Sequence, residues 1–253
     1  MADNLTDMMA QRKPMPGRPL LGMTVLVVED SRFACEAVRL LTLRSGARIR
    51  RADCLQSARR HLQVYRPTVV IIDIGLPDGD GADLIAELAQ SVPRVPVILA
   101  TSGRIEAEQG ARAAGADGFL LKPFANLAAF QQQVIAAMPP EERENCLPTG
   151  GLRAIPMEEV CPDRIALRDD FAHVAEELRR RHLTSDHGEP PDTPLHYLAQ
   201  FLGSLAFSAE DADLARAAQS LARVSDRGGG EVDRVVAQVR RLVDARIEAA
   251  AMI

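Results

Sequence analysis

Val69-Val70-Ile71-Ile72-Asp73-Ile74-Gly75-Leu76-Pro77 is an uncharged, mostly β-branched run that ends on one carboxylate and passes at once into turn residues. It is too short for a typical buried helix and is closed by Gly and Pro, so it reads as a buried parallel strand. Asp73 then stands at the carboxyl end of that strand, the edge of an open α/β sheet where ligands bind. Taken alone, the acid could equally be one that opens a turn. The rest of the chain decides between the two.

Upstream, Thr24-Val25-Leu26-Val27-Val28 is a first strand that also runs straight into acids, Glu29-Asp30. Ser31 can cap the helix that follows, with Phe33, Val38, Leu41 and Leu43 as its apolar positions up to Gly46. A short strand is expected over 47–51 and a helix over 55–65, which Pro67 stops. Downstream, Leu76-Pro77-Asp78-Gly79-Asp80-Gly81 forms a turn. A helix carrying Leu84, Ile85 and Leu88 follows. Val97-Ile98-Leu99-Ala100 is another strand, ending in Thr101-Ser102-Gly103. A helix over 107–114 ends at Gly115, a last strand over 118–121 ends in Lys122-Pro123, and a closing helix spans 125–138. Strands alternating with helices at this pitch predict a parallel sheet covered on both faces, with right-handed crossovers and doubly wound order.

Glu29 and Asp30, Asp73, Thr101 and Lys122 thus fall at carboxyl ends of strands and share one edge. The sequence has lysine only at Lys13 and Lys122, so the placing of Lys122 is informative. This constellation resembles the receiver domain of bacterial two-component response regulators. The resemblance rests on Val27-Val28-Glu29-Asp30, Ile72-Asp73-Ile74-Gly75-Leu76-Pro77-Asp78-Gly79-Asp80-Gly81, Ala100-Thr101-Ser102 and Gly115-Ala116-Asp117-Gly118-Phe119-Leu120-Leu121-Lys122-Pro123-Phe124, and covers about half the chain. It implies a flavodoxin-like, five-stranded α/β fold.

Crowded carboxylates repel one another, and a hard divalent cation relieves them; Mg²⁺ takes oxygen ligands and keeps waters. By the resemblance, Asp30 and Asp73 would bind Mg²⁺ directly, Glu29 would act through water, and the Gly75 carbonyl would complete the protein ligands. The resemblance also makes Asp73 the nucleophile that becomes an aspartyl phosphate. Lys122 would neutralise charge on the transferred phosphoryl oxygens. Thr101 would donate its hydroxyl to one of them and Phe119 would turn inward as Thr101 moves. Glu29-Asp30 stands where the family more often has an Asp pair, and Gly75 leaves the entrance beside Asp73 uncrowded. A phosphatase with an Asp nucleophile is a rival, but the DxDxT arrangement is absent because Gly75 stands two after Asp73.

The expected organisation is a flexible leader over 1–21, the receiver over 22–138, a Pro- and Gly-rich linker over 139–162 and a smaller all-α bundle over 163–253. Four amphipathic helices are expected in that last part. They carry Leu167 to Leu178, Leu195 to Leu205, Leu214 to Val224 and Val232 to Ile247, with a loop over 186–194 and a break at Gly228-Gly229-Gly230. Leu198-Ala199-Gln200-Phe201-Leu202-Gly203-Ser204 faintly resembles the helix of histidine phosphotransfer domains. Anchored on Gly203-Ser204, that pattern has Ala199 in the histidine place and Leu202 in the lysine place. His196 lies one turn earlier, and Gly203 also reads as a close-packing position.

From Gly151 onward there are thirteen arginines and no lysine against eighteen acids, while the residues before it hold seventeen of each sign. A DNA-docking domain usually shows a basic footprint, and this half lacks one. The expected output is therefore contact with a downstream protein, and the expected phosphodonor is a sensor histidine kinase or a phosphotransfer protein. A DNA-binding regulator with an unrecognised helical output and a receiver-like scaffold that is not phosphorylated are the alternatives, and a homodimer is left open. No separate enzymatic output is recognised. The acidic start, the absence of a membrane-spanning apolar run and four scattered cysteines point to a cytoplasmic protein without a disulfide framework.

Overall fold

A computed structural model describes residues 14–15, 17–124, 126–146, 162–187, 193–225 and 230–251. The chain divides into two compact units, the second made of Ser31–Ala34 and the residues from Pro162 onward. In the first, β1 (Thr24–Val28), α1 (Arg32–Arg44), β2 (Arg48–Ala52), α2 (Leu55–Val64), β3 (Val69–Asp73), α3 (Gly81–Gln90), β4 (Val97–Ser102), α4 (Ala107–Ala114), β5 (Gly118–Leu121) and α5 (Leu127–Ala136) follow one another. The five strands are parallel, in the order β2-β1-β3-β4-β5. This is the doubly wound, flavodoxin-like arrangement that the strand–helix alternation predicts.

Alternation along the strands builds two cores. Val25, Val27, Val69, Ile71, Val97 and Leu99 face one side, where they meet Val38, Leu41, Phe130 and Val134 of α1 and α5. Leu26, Val28, Val70, Ile72, Ile98 and Ala100 face the other, against Leu55, Leu84, Ile85, Leu88 and Ala111. Each fully buried Val, Ile or Leu contributes about 1.5–3 kcal/mol, so the central strands anchor the edge at which they end. Helix ends follow local chemistry. The Ala34 amide donates to Ser31 Oγ at 3.0 Å, the Ala82 amide to Asp80 Oδ1 at 2.8 Å and the Ala129 amide to Asn126 Oδ1 at 2.8 Å. Gly115 ends α4 in the left-handed region at φ 110°.

Four expectations need correction. The part of the leader that is described does not stand off the domain: Leu20 is fully buried in the first core and its amide donates to the Ser45 carbonyl at 3.0 Å. Residues 1–13 and 16 lie outside the described residues. Leu43 is 43% exposed, on the outer side of α1. The turn after Asp73 contains a two-residue antiparallel pair, Gly75–Leu76 with Gly79–Asp80. A further helix, α6 (Pro140–Cys146), occupies the start of the expected linker; Pro140 suits a first helical position because its missing N–H is one that no helix bond needs there. The rest of that linker, 147–161, is not described.

The second unit contains α7 (Arg164–His187), α8 (Leu195–Ser208), α9 (Ala212–Val224) and α10 (Gly230–Ala251), the four helices expected. Its helices pack α8 on α9, α9 on α10 and α10 on α7, with α7 also touching α8, which closes a bundle. Leu178, Leu202, Leu205, Leu214, Leu221, Val239 and Val243 fill its centre. α7 runs two residues into the expected loop, and 188–192 lie outside the described residues. Gly203 is not a close-packing position, since a Cβ there would meet the Ala218 Cβ at an ordinary 3.8 Å. Among the described residues, no helix is long and apolar enough to cross a membrane.

Candidate functional site at the carboxyl edge of the sheet

Strand register brings the predicted residues together. Val28 pairs with Ile72, so the next residues on β1 and β3, Glu29 and Asp73, fall side by side. Asp73 pairs with Thr101 and Ser102 with Leu121, which sets Lys122 at the end of the neighbouring strand. The backbone continues the ladder there: the Glu29 amide donates to the Ala52 carbonyl at 2.9 Å and the Lys122 amide to the Ser102 carbonyl at 3.0 Å. The chain leaves the edge through a cis peptide between Lys122 and Pro123.

Glu29, Asp73, Thr101 and Lys122 are all buried, and Asp30 is half-buried. The Lys122 ammonium lies 2.6 Å from Glu29 Oε2 and 3.1 Å from Asp73 Oδ2. Burial pushes the Glu29 carboxyl well above the usual carboxylate range, with Lys122 pulling against it and the neighbouring acids adding to it. Burial likewise raises Asp73, opposed by Lys122 and by the amides of Ile74 and Gly75. Burial works against the Lys122 ammonium, yet Asp73 and Glu29 together outweigh it and hold its pKa above the ordinary lysine value.

Glu29, Asp30 and Asp73 each offer an oxygen, and these lie within 4.8 Å of one another. Three carboxylates with one ammonium leave two uncompensated negative charges when all are ionised, which a divalent cation matches. Opposite ligands of an octahedral Mg²⁺ stand about 4.2 Å apart, so the donor set fits such an ion with small movements. The Thr101 hydroxyl is engaged by the neighbouring strand, donating to the Leu120 carbonyl at 2.8 Å. Phe119 is already inside, 8% exposed, in the core that faces α2, α3 and α4.

Two supporting residues escape sequence reasoning. A Cβ at Gly81 would stand 2.0 Å from the Asp73 carbonyl oxygen, so only glycine lets the α3 start approach the site strand. The Gly81 amide also donates to the Ile74 carbonyl at 2.9 Å. Asp78 reaches from the turn to the start of α2, accepting from the Leu55 amide at 2.8 Å and the Gln56 amide at 2.9 Å. The turn-rich run 77–81 marked a loop but gave no hint of either role. In the helical unit, Ala199 and Leu202 are buried and His196 is exposed. The register anchored on Gly203-Ser204 therefore puts its acceptor place inside the core.

Residues 25–134 match the response regulator receiver domain. Among curated proteins, the KDP operon transcriptional regulatory protein KdpE of Escherichia coli K12 is 38% identical over 101 residues, which is 40% of this chain and 44% of that protein. The probable transcriptional regulatory protein TcrX of Mycobacterium tuberculosis is 35% identical over 109 residues, 43% of this chain and 45% of its own length. The chain thus spans under half the length of these relatives. Among solved structures, a putative response regulator from Chloroflexus aurantiacus shares 28% identity at a TM-score of 0.43, covering 46% of this chain and 96% of its own. The chemotaxis response regulator CheY4 of Vibrio cholerae shares 27% at 0.41, covering 44% and 98%.

Proposed function

We propose that the chain, whose residues 25–134 match the response regulator receiver domain, is a cytoplasmic phosphoacceptor that takes a phosphoryl group on Asp73 and passes the change on through its helical second unit. The observation that carries this is the convergence of Glu29, Asp30, Asp73 and Lys122 on one buried strand edge. Asp73 Oδ attacks phosphorus in line with the donor's leaving group, forming an acyl phosphate as the donor bond breaks. Asp30 and Asp73 would hold Mg²⁺ directly, Glu29 through water, and the Gly75 carbonyl would add a neutral oxygen. Such an ion would supply positive charge to the phosphoryl oxygens and screen the acids from one another. Lys122, already drawn between Glu29 and Asp73, transfers its ammonium from carboxylate to phosphoryl oxygen. Thr101 gives up the Leu120 carbonyl for the same group, and Phe119 fixes the new position by filling the space it leaves.

The phosphodonor is a sensor histidine kinase or a phosphotransfer protein. Functional boundaries are set at 22–138 for the receiver and 163–253 for the output, with 139–162 between them. The output engages a protein partner, because the second half is acidic and carries its arginines among carboxylates, as in Arg179 and Arg180 with Glu176. No separate enzymatic output is assigned. A second reading, a DNA-binding output, is favoured by the names of the curated relatives, which are transcriptional regulators; the alignments, of 101 and 109 residues, extend over less than half of this chain. The full chain incubated with a small phosphodonor and Mg²⁺ should gain one acyl phosphate, seen as a hydroxylamine-sensitive mass increase. Asp73→Asn should gain none, and equal labelling of that variant would remove Asp73 from the proposal. Salt-dependent retention of duplex DNA would move the output to the second reading.

A further inference from the structure

Away from the acidic edge, an open pocket of about 460 Å³ lies between the outer strand and its covering helix. It is lined by Arg50 of β2, Ser57, Arg60, His61 and Val64 of α2, and Tyr65 just beyond. The lining offers two guanidinium groups, an imidazole and two hydroxyls, and contains no carboxylate. Four other arginines of this unit are matched with acids: Arg39 with Glu36, Arg59 with Glu87, Arg94 with Asp117 and Arg112 with Glu108. Arg50 and Arg60 make no ion pair with the described residues. The Tyr65 hydroxyl is buried and has no hydrogen-bond partner among them, although a buried hydroxyl is ordinarily satisfied. Its ring packs edge-on against His61 with centroids 5.9 Å apart, which fixes the wall of the pocket.

Charged residues on an outer strand often serve only to stop a further strand from adding. That accounts for Arg48, Arg50 and Arg51 along β2, but not for Arg60 on the helix, nor for a buried phenol aimed at no acceptor. We propose that this pocket is a binding site for a phosphate group carried on a small organic molecule. Guanidinium forks pair with phosphate oxygens in two-point geometry. The Ser57 hydroxyl and the His61 imidazole supply further polar groups, and the 85% exposed Val64 gives an apolar rim for the organic part. The volume falls in the range of small-ligand sites, roughly 300–1,000 Å³. α2 is also the helix whose first amides Asp78 clamps from the turn after Asp73, so an occupant along α2 bears on the loop beside the acidic edge.

Titration of the full chain in Mg²⁺-free buffer with adenosine monophosphate and, separately, inorganic phosphate tests the site by calorimetry and by amide chemical shifts. Saturable binding with Kd of about 1 mM or tighter, with shifts at 50–52 and 57–65, is expected for the nucleotide. Equal affinity for inorganic phosphate would assign recognition to the phosphate alone, and tighter nucleotide binding would include the organic part; both support the proposal. The double change Arg50→Gln and Arg60→Gln should weaken binding by about tenfold or more, and Asp73→Asn not at all. Absence of binding by both probes, undiminished binding in the double variant, or loss in Asp73→Asn would overturn it. So would duplex DNA captured by these arginines while both small probes fail.

Discussion

Replacing Lys122 by methionine keeps most of the side-chain volume and removes the one cation buried among the acids. At an effective dielectric of about 20, contacts at 2.6 and 3.1 Å are each worth roughly 5–6 kcal/mol before desolvation is counted. Desolvation offsets much of this, and removing one partner of a buried ionic cluster costs about 3–5 kcal/mol net. Proton uptake by Glu29, whose carboxyl burial already raises, holds the loss toward the lower figure. The chain has two units, so a single unfolding curve mixes them; hydrogen exchange at the β1 and β3 amides reads the first alone. In chelator at neutral pH, Lys122→Met should exchange there roughly a hundredfold to a few thousandfold faster than wild type. Saturating Mg²⁺ should restore more protection to the variant than it adds to wild type, because the carboxylates then lack any other cation. Equal exchange of the two proteins in chelator would refute the electrostatic account of the edge. A variant that Mg²⁺ protects no more than wild type would refute the assignment of those carboxylates as its ligands.

Two glycines should respond oppositely to alanine. Gly81→Ala drives a Cβ into the Asp73 carbonyl and should cost more than about 3 kcal/mol by hydrogen exchange in the first unit, whereas Gly203→Ala fits beside Ala218 and should stabilise the bundle by about 0.5–1 kcal/mol. In the bundle, Asp211 caps α9 through the Leu214 amide and accepts from Arg246 Nε of α10 at 2.6 Å. The Arg246 hydrogen bond holds its carboxyl below the usual range; the stability it contributes is present above the unfolded-state pKa and is lost as pH falls through the lower folded value. Asp211→Asn should therefore lower bundle stability by about 1 kcal/mol at pH 7 and make progressively less difference on acidification, a gap that exchange at α9 and α10 amides should follow.

The site was legible because a parallel sheet converts position along the chain into position in space. Once Val25 to Val28 and Val69 to Ile72 are recognised as buried strands, whatever follows each must stand at the same edge, and Glu29, Asp73, Thr101 and Lys122 need no further geometry to be brought together. Helix ends were partly legible for a similar reason, since Ser31 and Gly115 announce them locally, whereas Asn126, expected inside the closing helix, caps it instead. What the sequence concealed depends on contacts between distant segments. Leu20 looks like any leader residue until the Ser45 carbonyl and the first core take it in. Gly79 and Gly81 look alike in a turn, yet the start of α3 passes within a Cβ's reach of the Asp73 carbonyl at Gly81 alone. Arg50 and Arg60 are ten residues apart and become a pair only because β2 and α2 fold back on each other. The helical unit lacks the sheet's shortcut, because four amphipathic stripes specify which faces are buried but not which outer face meets a partner. A one-residue uncertainty in matching 198–204 turns a helix face by about 100°, enough to decide whether an acceptor position faces solvent or the core. With Ala199 and Leu202 inside and His196 outside, the matched register offers no exposed histidine at the acceptor place.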